Sequence, residues 1–590
     1  MSVHFHYIIA CLVCEVIFII LHRKSSNARQ LFGMVLIPTS LYFFLYKYSL
    51  LPSWNGFEVY ATSVICIVGV LFLCTLTLKE NQVKKEKKRT IITFILSSFF
   101  LIAFTYGIPW LVKAFPLDNP DAVLFTLLQN KAGTDGFVWD LVWKNILSPA
   151  LLTYVPICIV LFLMGMVVWL SKKKWCFNFF RIRMYLHSGS SIWVPLRQLS
   201  ILFFVISFVV FCVVVPKLFF PVIKLCGVYF DSSKRVDSQL YLNEYVFPDS
   251  VEMTFPSQKR NLIYIMMESM EVNFKEYTPE INRLVEENVS FYPGGVDLAM
   301  TNWTMAAQVA KMCGIPLNVP RNMENSDEVN SFLPNVKCLP DILAKNGYNQ
   351  IYVQGSDGTF ASKRQFWNQH HVDAFHDFPY YKKKSVVKEK KEIFWGVTDR
   401  TLYNLIKREL QGLTKDSSKP FALYAMTVDT HFPDGYLSEG CYISENDLSQ
   451  FPSVLRCSAQ MLDSFLKWAK EQDWYWNTTI VVVGDHSWGT FTDLLKLPKE
   501  EPLYWINFFI NSQIQPIEPN RIFSSFDMFP TVLASMGVNF SLHRLGLGTS
   551  LFSAEKTLLE KIQIDTLNAK IREKTYQYDY FMNGGSFKRE

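Results

Sequence analysis

Apolar positions fall along this chain in two rhythms. Up to about residue 225 they come in long runs, near 5–21, 31–50, 59–78, 91–113, 147–170 and 199–220. Each lacks a polar face over roughly the 17–25 residues that a helix needs to cross a bilayer. Beyond that point the apolar runs shorten to strand length: "NLIYIMM" (261–267), "QIYVQ" (350–354), "FALYAMTV" (421–428), "TIVVVG" (479–484) and "WINFFI" (505–510). Unbroken apolar runs of this length suit strands covered on both faces. Helical patterns such as "SVLRCSAQMLDSFLKWAKEQ" lie between several of them. Strands alternating with helices predict an α/β sandwich around a mostly parallel sheet.

The pattern predicts a transmembrane domain of about six helices over 1–225. A connector follows over 226–260, with one short helix around "SQLYLNEYV", and then an α/β domain over 261–590. Charge then orients the spans. Arg23, Lys24 and Arg29, the "KKEKKR" of 84–89, and Lys172, Lys173, Lys174, Arg181 and Arg183 occupy alternate loops. The uncharged "LPSWNG" and a stretch with Asp118, Asp121, Asp135 and Asp140 occupy the others. By the positive-inside rule the basic loops are cytoplasmic, so the α/β domain is expected outside. No cleavable signal precedes the first run, which is expected to stay as an anchor. The net charge of +6 is thereby a topology signal, and no nucleic-acid partner is expected.

Of the 12 cysteines, Cys313, Cys338, Cys441 and Cys457 fall in the outer region. An extracytoplasmic setting favours two disulfides, and proximity in sequence pairs 313 with 338 and 441 with 457. Unpaired buried thiols are the alternative.

The chemistry collects where strands end. The first strand runs into Glu268 and Ser269, the second into Ser356 and Asp357, the third into Asp429, Thr430 and His431, and the fourth into Asp485 and His486. In open α/β sheets, ligands bind beyond the carboxyl ends of the strands. Any one of these residues could cap a helix or order a loop; four strands delivering acids or imidazoles to one edge point to a site. Glu268, Asp485 and His486 suit Zn²⁺, Mn²⁺ or Mg²⁺, and three protein ligands leave a coordination position for a nucleophile.

At these positions the sequence resembles the membrane-anchored phosphoglycerol transferases, the branch of the alkaline phosphatase and sulfatase superfamily that holds the lipoteichoic acid synthases. "NLIYIMMES" is similar to the metal-binding strand and "NWTMAAQVAKMCGIPL" (302–317) to the nucleophile segment. "VQGSDGTFASKRQFW", "TVDTHFPDG", "VVGDHSW" and "SSFDMFPTVLASMGV" follow in the family's order. The resemblance covers roughly 255–555. It implies that Glu268, Thr304, Asp485 and His486 hold one divalent metal, usually Mn²⁺ in the synthases, with Thr304 as nucleophile. It also implies that His431 and Lys363 contact the substrate phosphate or glycerol. An arginine stands in the synthases where Lys363 falls, so the contact becomes a point charge instead of a bidentate fork. Asp357 is expected either to bind substrate or to cap the helix after it.

The resemblance further implies phosphatidylglycerol as donor and a cell-envelope glycan or glycolipid as acceptor. The enzyme would be multi-pass in a bacterial cytoplasmic membrane, its catalytic domain on the periplasmic or extracellular side. A phosphoethanolamine transferase is the nearest rival. A sulfatase needs a C/S-x-P-x-R segment, and "CGIPL" lacks the arginine. A non-catalytic membrane scaffold or transporter is the rival of another class, but no ligand position is missing and the spans carry no charge run of the kind transport uses. His370, His371 and His376 fall in a polar stretch and are expected as surface residues, not a second metal site. "KKKSVVKEKKE" (382–392) reads as a solvated loop.

Overall fold

In this computed structural model the described residues are 235–318, 332–387, 395–442, 450–488 and 502–587, apart from 417, 433 and 585, together with 495, 497 and a few positions between 103 and 155. The six expected spans lie almost wholly outside these. Among the described residues no helix is long and apolar enough to cross a membrane.

The domain is organised around a six-stranded sheet: β1 (Asn261–Met267), β2 (Asn349–Gln354), β3 (Ala374–His376), β4 (Phe421–Met426), β5 (Thr478–Gly484) and β6 (Asn507–Ile510). The order across the sheet is β3-β2-β4-β1-β5-β6. All neighbours are parallel except β6, which runs antiparallel to β5 at the edge.

Alternation along β1 explains why its sequence is apolar without a break. Leu262, Tyr264 and Met266 enter one core; Ile263, Ile265 and Met267 enter the other. Each such side chain contributes about 1.5–3 kcal/mol when fully buried. Helices α1 (Pro279–Glu287), α2 (Thr304–Cys313), α3 (Leu339–Lys345), α4 (Lys363–Gln369), α5 (Asp399–Leu413), α6 (Phe451–Lys470) and α7 (Met528–Ser535) cover the two faces. α2, α3, α4 and α7 pack into the first core, and α1, α5 and α6 into the second. The expected α/β sandwich with a mostly parallel sheet is therefore present.

The connector forms its short helix, Gln239–Glu244, capped by the Ser238 hydroxyl. Its described part is not a free tether, however. Ser238 N donates to Gln577 Oε1 at 2.8 Å, and Tyr241 packs edge-on against Phe581. A packed C-terminal helix over Tyr576–Asn583 supplies both partners, which a composition of mixed charge and proline does not reveal. Both cysteine pairs are disulfides, Cys313–Cys338 and Cys441–Cys457.

Candidate metal centre

Register builds the centre of the site. β1 and β5 pair from Asn261↔Thr478 through Met267↔Gly484, so the residues just beyond their ends, Glu268 and Asp485, emerge side by side. Gly484 is needed here: a Cβ on it would stand 2.2 Å from the Met270 carbonyl oxygen. The chain then turns at Ser269, whose φ of +48° is costly for a residue with a side chain. That turn aims Ser269 N at Asp485 Oδ1 (2.7 Å) and Ser269 Oγ at Glu268 Oε1 (2.7 Å). His486 N also donates to Asp485 Oδ1 at 2.7 Å.

Four residues expected to share a metal are thus brought together. His486 Nε2 lies 3.4 Å from Asp485 Oδ2 and 3.6 Å from Glu268 Oε1, while Thr304 Oγ1 lies 3.3 Å from Glu268 Oε2. Donors about 2.1 Å from a tetrahedral ion stand ~3.4 Å apart, so these separations fit one coordination sphere. Asp485 Oδ2 is buried and meets no hydrogen-bond donor, which a cation would remedy. Charge points the same way. Burial and then the Glu268 carboxylate lift Asp485 to about 6. Burial disfavours charge on the His486 imidazole, but Asp485, Glu268 and Asp297 outweigh it and raise its pKa. The pocket is short of positive charge.

Thr304 is the first residue of α2, so its hydroxyl stands where helix N–H groups lack helical partners and the dipole favours an anion. A phosphoryl group beside it would be held by the same end.

The remaining expected residues sit at the start of a helix and beyond a strand end. Lys363 is buried and opens α4 directly after Ala361 (φ +59°) and Ser362 (φ +55°), two left-handed non-glycine residues in succession. His431 follows β4. Its ring lies 4.5 Å from that of Trp395, which also packs near Phe360 and donates from Nε1 to the Phe432 carbonyl. The Nδ1 of His431 donates to Phe432 O at 2.9 Å, which leaves Nε2 as the acceptor nitrogen. Burial foremost, then the charges of His486 and Lys363, depress its pKa to about 4. The imidazole is neutral at physiological pH.

Two expectations are corrected. Asp357 does not cap α4, whose N-cap is Ser362; its Oδ1 accepts from Thr359 N and Oγ1 and stands 3.6 Å from Arg364 Nη2. His370 is not a surface residue. It is buried with Nδ1 2.8 Å from Asp341 Oδ2, and His376 lies on β3 beside Glu409. His371 is exposed as expected. Cys313, Cys338 and His370 cluster, but the two sulfurs are bonded to each other. Lys383 and Lys384 of the basic stretch are exposed, and 388–394 lie outside the described residues.

The support behind the site is not visible in the sequence pattern. Asp399, at the start of α5, accepts from Val428 N and Asp429 N, while Asp429 accepts from Asp399 N and the Ser438 hydroxyl. This buried carboxyl pair ties the strand end bearing His431 to α5. Burial raises both groups, with Asp429 at about 7. Asp297 accepts from Ser487 N and Glu271 from Trp488 N, clamping the chain just past His486. Lys311, two helical turns after Thr304, was the one legible sign: a lysine inside the apolar "MAAQVAKMC".

The chain is similar to several known proteins. The Sulfatase family model matches residues 260–538. Phosphoglycerol transferase I of Escherichia coli O127:H6 is 36% identical over 244 residues, 40% of this chain and 32% of that protein. The chain thus aligns with about a third of the length of the curated relatives it matches. Among solved structures, the lipoteichoic acid synthase LtaP from Listeria monocytogenes superposes with a TM-score of 0.42 at 18% identity, over 51% of this chain and 79% of that one. An alkaline phosphatase superfamily protein from Vibrio parahaemolyticus gives 0.42 at 19% identity, over 56% and 78%. Residues 260–538 are thus similar to the Sulfatase family, and within them the ends of β1 and β5 bring Glu268, Asp485 and His486 together beside Thr304 at the start of α2.

Proposed function

We propose that this protein is a metal-dependent phosphoglycerol transferase. It would move phosphoglycerol from phosphatidylglycerol to a hydroxyl of a cell-envelope glycan or glycolipid, on the outer side of a bacterial cytoplasmic membrane. The convergence of one hydroxyl, two carboxylates and one imidazole within a single coordination sphere carries this reading.

Glu268, Thr304, Asp485 and His486 would hold one divalent ion, Mn²⁺ in this proposal, which when bound lowers the pKa of a hydroxyl and offsets phosphoryl charge. Thr304 Oγ1 attacks phosphorus, its proton departs, and the bond from phosphorus to the diacylglycerol oxygen breaks. Phosphoglycerol is left on Thr304 while diacylglycerol leaves with a proton. In the second step an acceptor hydroxyl attacks the phosphothreonine and restores Thr304. His431 suits the proton transfers, because it is neutral and keeps Nε2 as the acceptor. The N-terminus of α2 and the Lys363 ammonium offset charge on the non-bridging oxygens.

Lys363 also favours glycerol over ethanolamine in the headgroup pocket. A buried ammonium repels a second one, whereas an uncharged diol accepts and donates hydrogen bonds beside it. Liposomes carrying fluorescent phosphatidylglycerol test the reading. Release of fluorescent diacylglycerol should require a divalent cation and exceed by at least ~10-fold the release from a phosphatidylethanolamine analogue. A faster reaction with the ethanolamine lipid would move the protein to the rival branch.

A further inference from the structure

Lys311 is among the largest fully buried side chains, and the mechanism above gives it no task. It lies seven residues after Thr304 on α2, two turns along the same face. Its ammonium donates to the Asp485 carbonyl oxygen at 2.6 Å and to Ser525 Oγ at 2.9 Å, and rests 3.9 Å over the ring of Trp505. Each contact belongs to a different part of the domain. Asp485 bears a metal-ligating carboxylate, Ser525 belongs to the one-turn segment leading into α7, and Trp505 precedes β6. Hydrophobic isosteres often replace buried charges at no loss of stability, so packing alone does not account for a lysine here.

We propose that Lys311 is a positioning residue for the metal: it pins the Asp485–His486 turn from behind, so that Asp485 Oδ2 and His486 Nε2 meet Glu268 and Thr304 at bonding separation. The nucleophile and the brace share one rigid helix. Any shift of α2 that moves Thr304 therefore moves the Asp485 main chain with it, and the ligand set stays together. The contact is a main-chain one, so the Asp485 carboxylate keeps both oxygens for Ser269, His486 and the ion. This inference rests on the proposed metal centre, not on the identity of the donor lipid.

The test uses the full-length chain in detergent with Mn²⁺ as the probe. Lys311→Met should fold, with a melting temperature of the metal-free protein within a few degrees of wild type. It should bind Mn²⁺ ~10–100-fold more weakly, the loss typical of removing support behind a metal ligand. Raising Mn²⁺ should restore kcat, and KM for the lipid should not change. Lys311→Met combined with Asp297→Asn removes the cation together with a neighbouring carboxylate, which keeps the charge of the pocket level. The same loss of Mn²⁺ affinity is expected, because the brace is still missing. Wild-type Mn²⁺ affinity in the single variant, or its recovery in the double variant, would overturn the proposal, the second by showing that only charge mattered. Should Lys311→Met fail to fold, Ser525→Ala removes the other end of the brace, and unchanged Mn²⁺ affinity there would overturn it. Absence of any Mn²⁺ binding by wild type would refute the metal centre itself, and the inference with it.

Discussion

One half of the site stands on the ends of two central strands and the other beside tight turns. Glu268, Asp485 and His486 emerge from β1 and β5, two central strands paired through seven residues; Ser269 and Lys311 donate to Asp485, and Glu268 N donates to the Thr427 hydroxyl. Lys363 and His431 are set by left-handed backbone at 361 and 362, by the ring of Trp395 and by the Asp399–Asp429 pair. Under the proposed function the difference separates two tasks. A metal sphere tolerates little displacement of its ligands, and strand register supplies that precision. A headgroup pocket must admit one substrate and release it before the next, and loops allow that movement.

If the division is right, changes in the two halves should fail differently. Glu268→Gln should have the largest effect. Metal affinity is expected to fall by more than ~100-fold and turnover to drop to background, as judged by metal content after dialysis together with the liposome assay. Retained metal with lost activity would mean that Glu268 is not a ligand. His431→Gln should leave metal content intact and lower kcat by ~10²-fold, because a proton carrier is lost while the coordination sphere stays. Loss of metal from this variant would erase the distinction between the halves.

The smallest effect concerns pH and stability. Asp429 titrates at about 7 in the folded protein, whereas an unfolded aspartate titrates near ~3.9. The folded state therefore holds a proton that the unfolded state has lost. The stability this proton provides is complete below pH ~4 and is lost as pH rises toward 7. Asp429→Asn, which mimics the protonated carboxyl, should flatten the fall of melting temperature across that window by a few degrees at most. An equal slope in both proteins would mean that Asp429 does not carry that proton.

What was legible in the sequence follows the same division. An apolar run stopped by Glu268, or by Asp485 and His486, shows both the strand and the charge at its end, because both are local. Asp357 has the same appearance, and its carboxylate engages Thr359 and Arg364 nearby. Asp399 could not be tied to Asp429, nor Asp341 to His370, because each pair joins segments about thirty residues apart whose contact exists only once the sheet has formed. The polar residues around His370 suggested a solvated loop for the same reason. Burial of a charged or imidazole side chain depends on a partner that period and composition do not name.

Thr304 is where the two halves meet. Intact-mass analysis of the full-length protein, incubated with phosphatidylglycerol and Mn²⁺ and quenched in acid, tests its role directly. A mass gain of one phosphoglycerol should appear, map to Thr304 by fragmentation, and be absent from Thr304→Ala, which should also lose turnover. Turnover by Thr304→Ala, or an adduct at another residue, would contradict the mechanism.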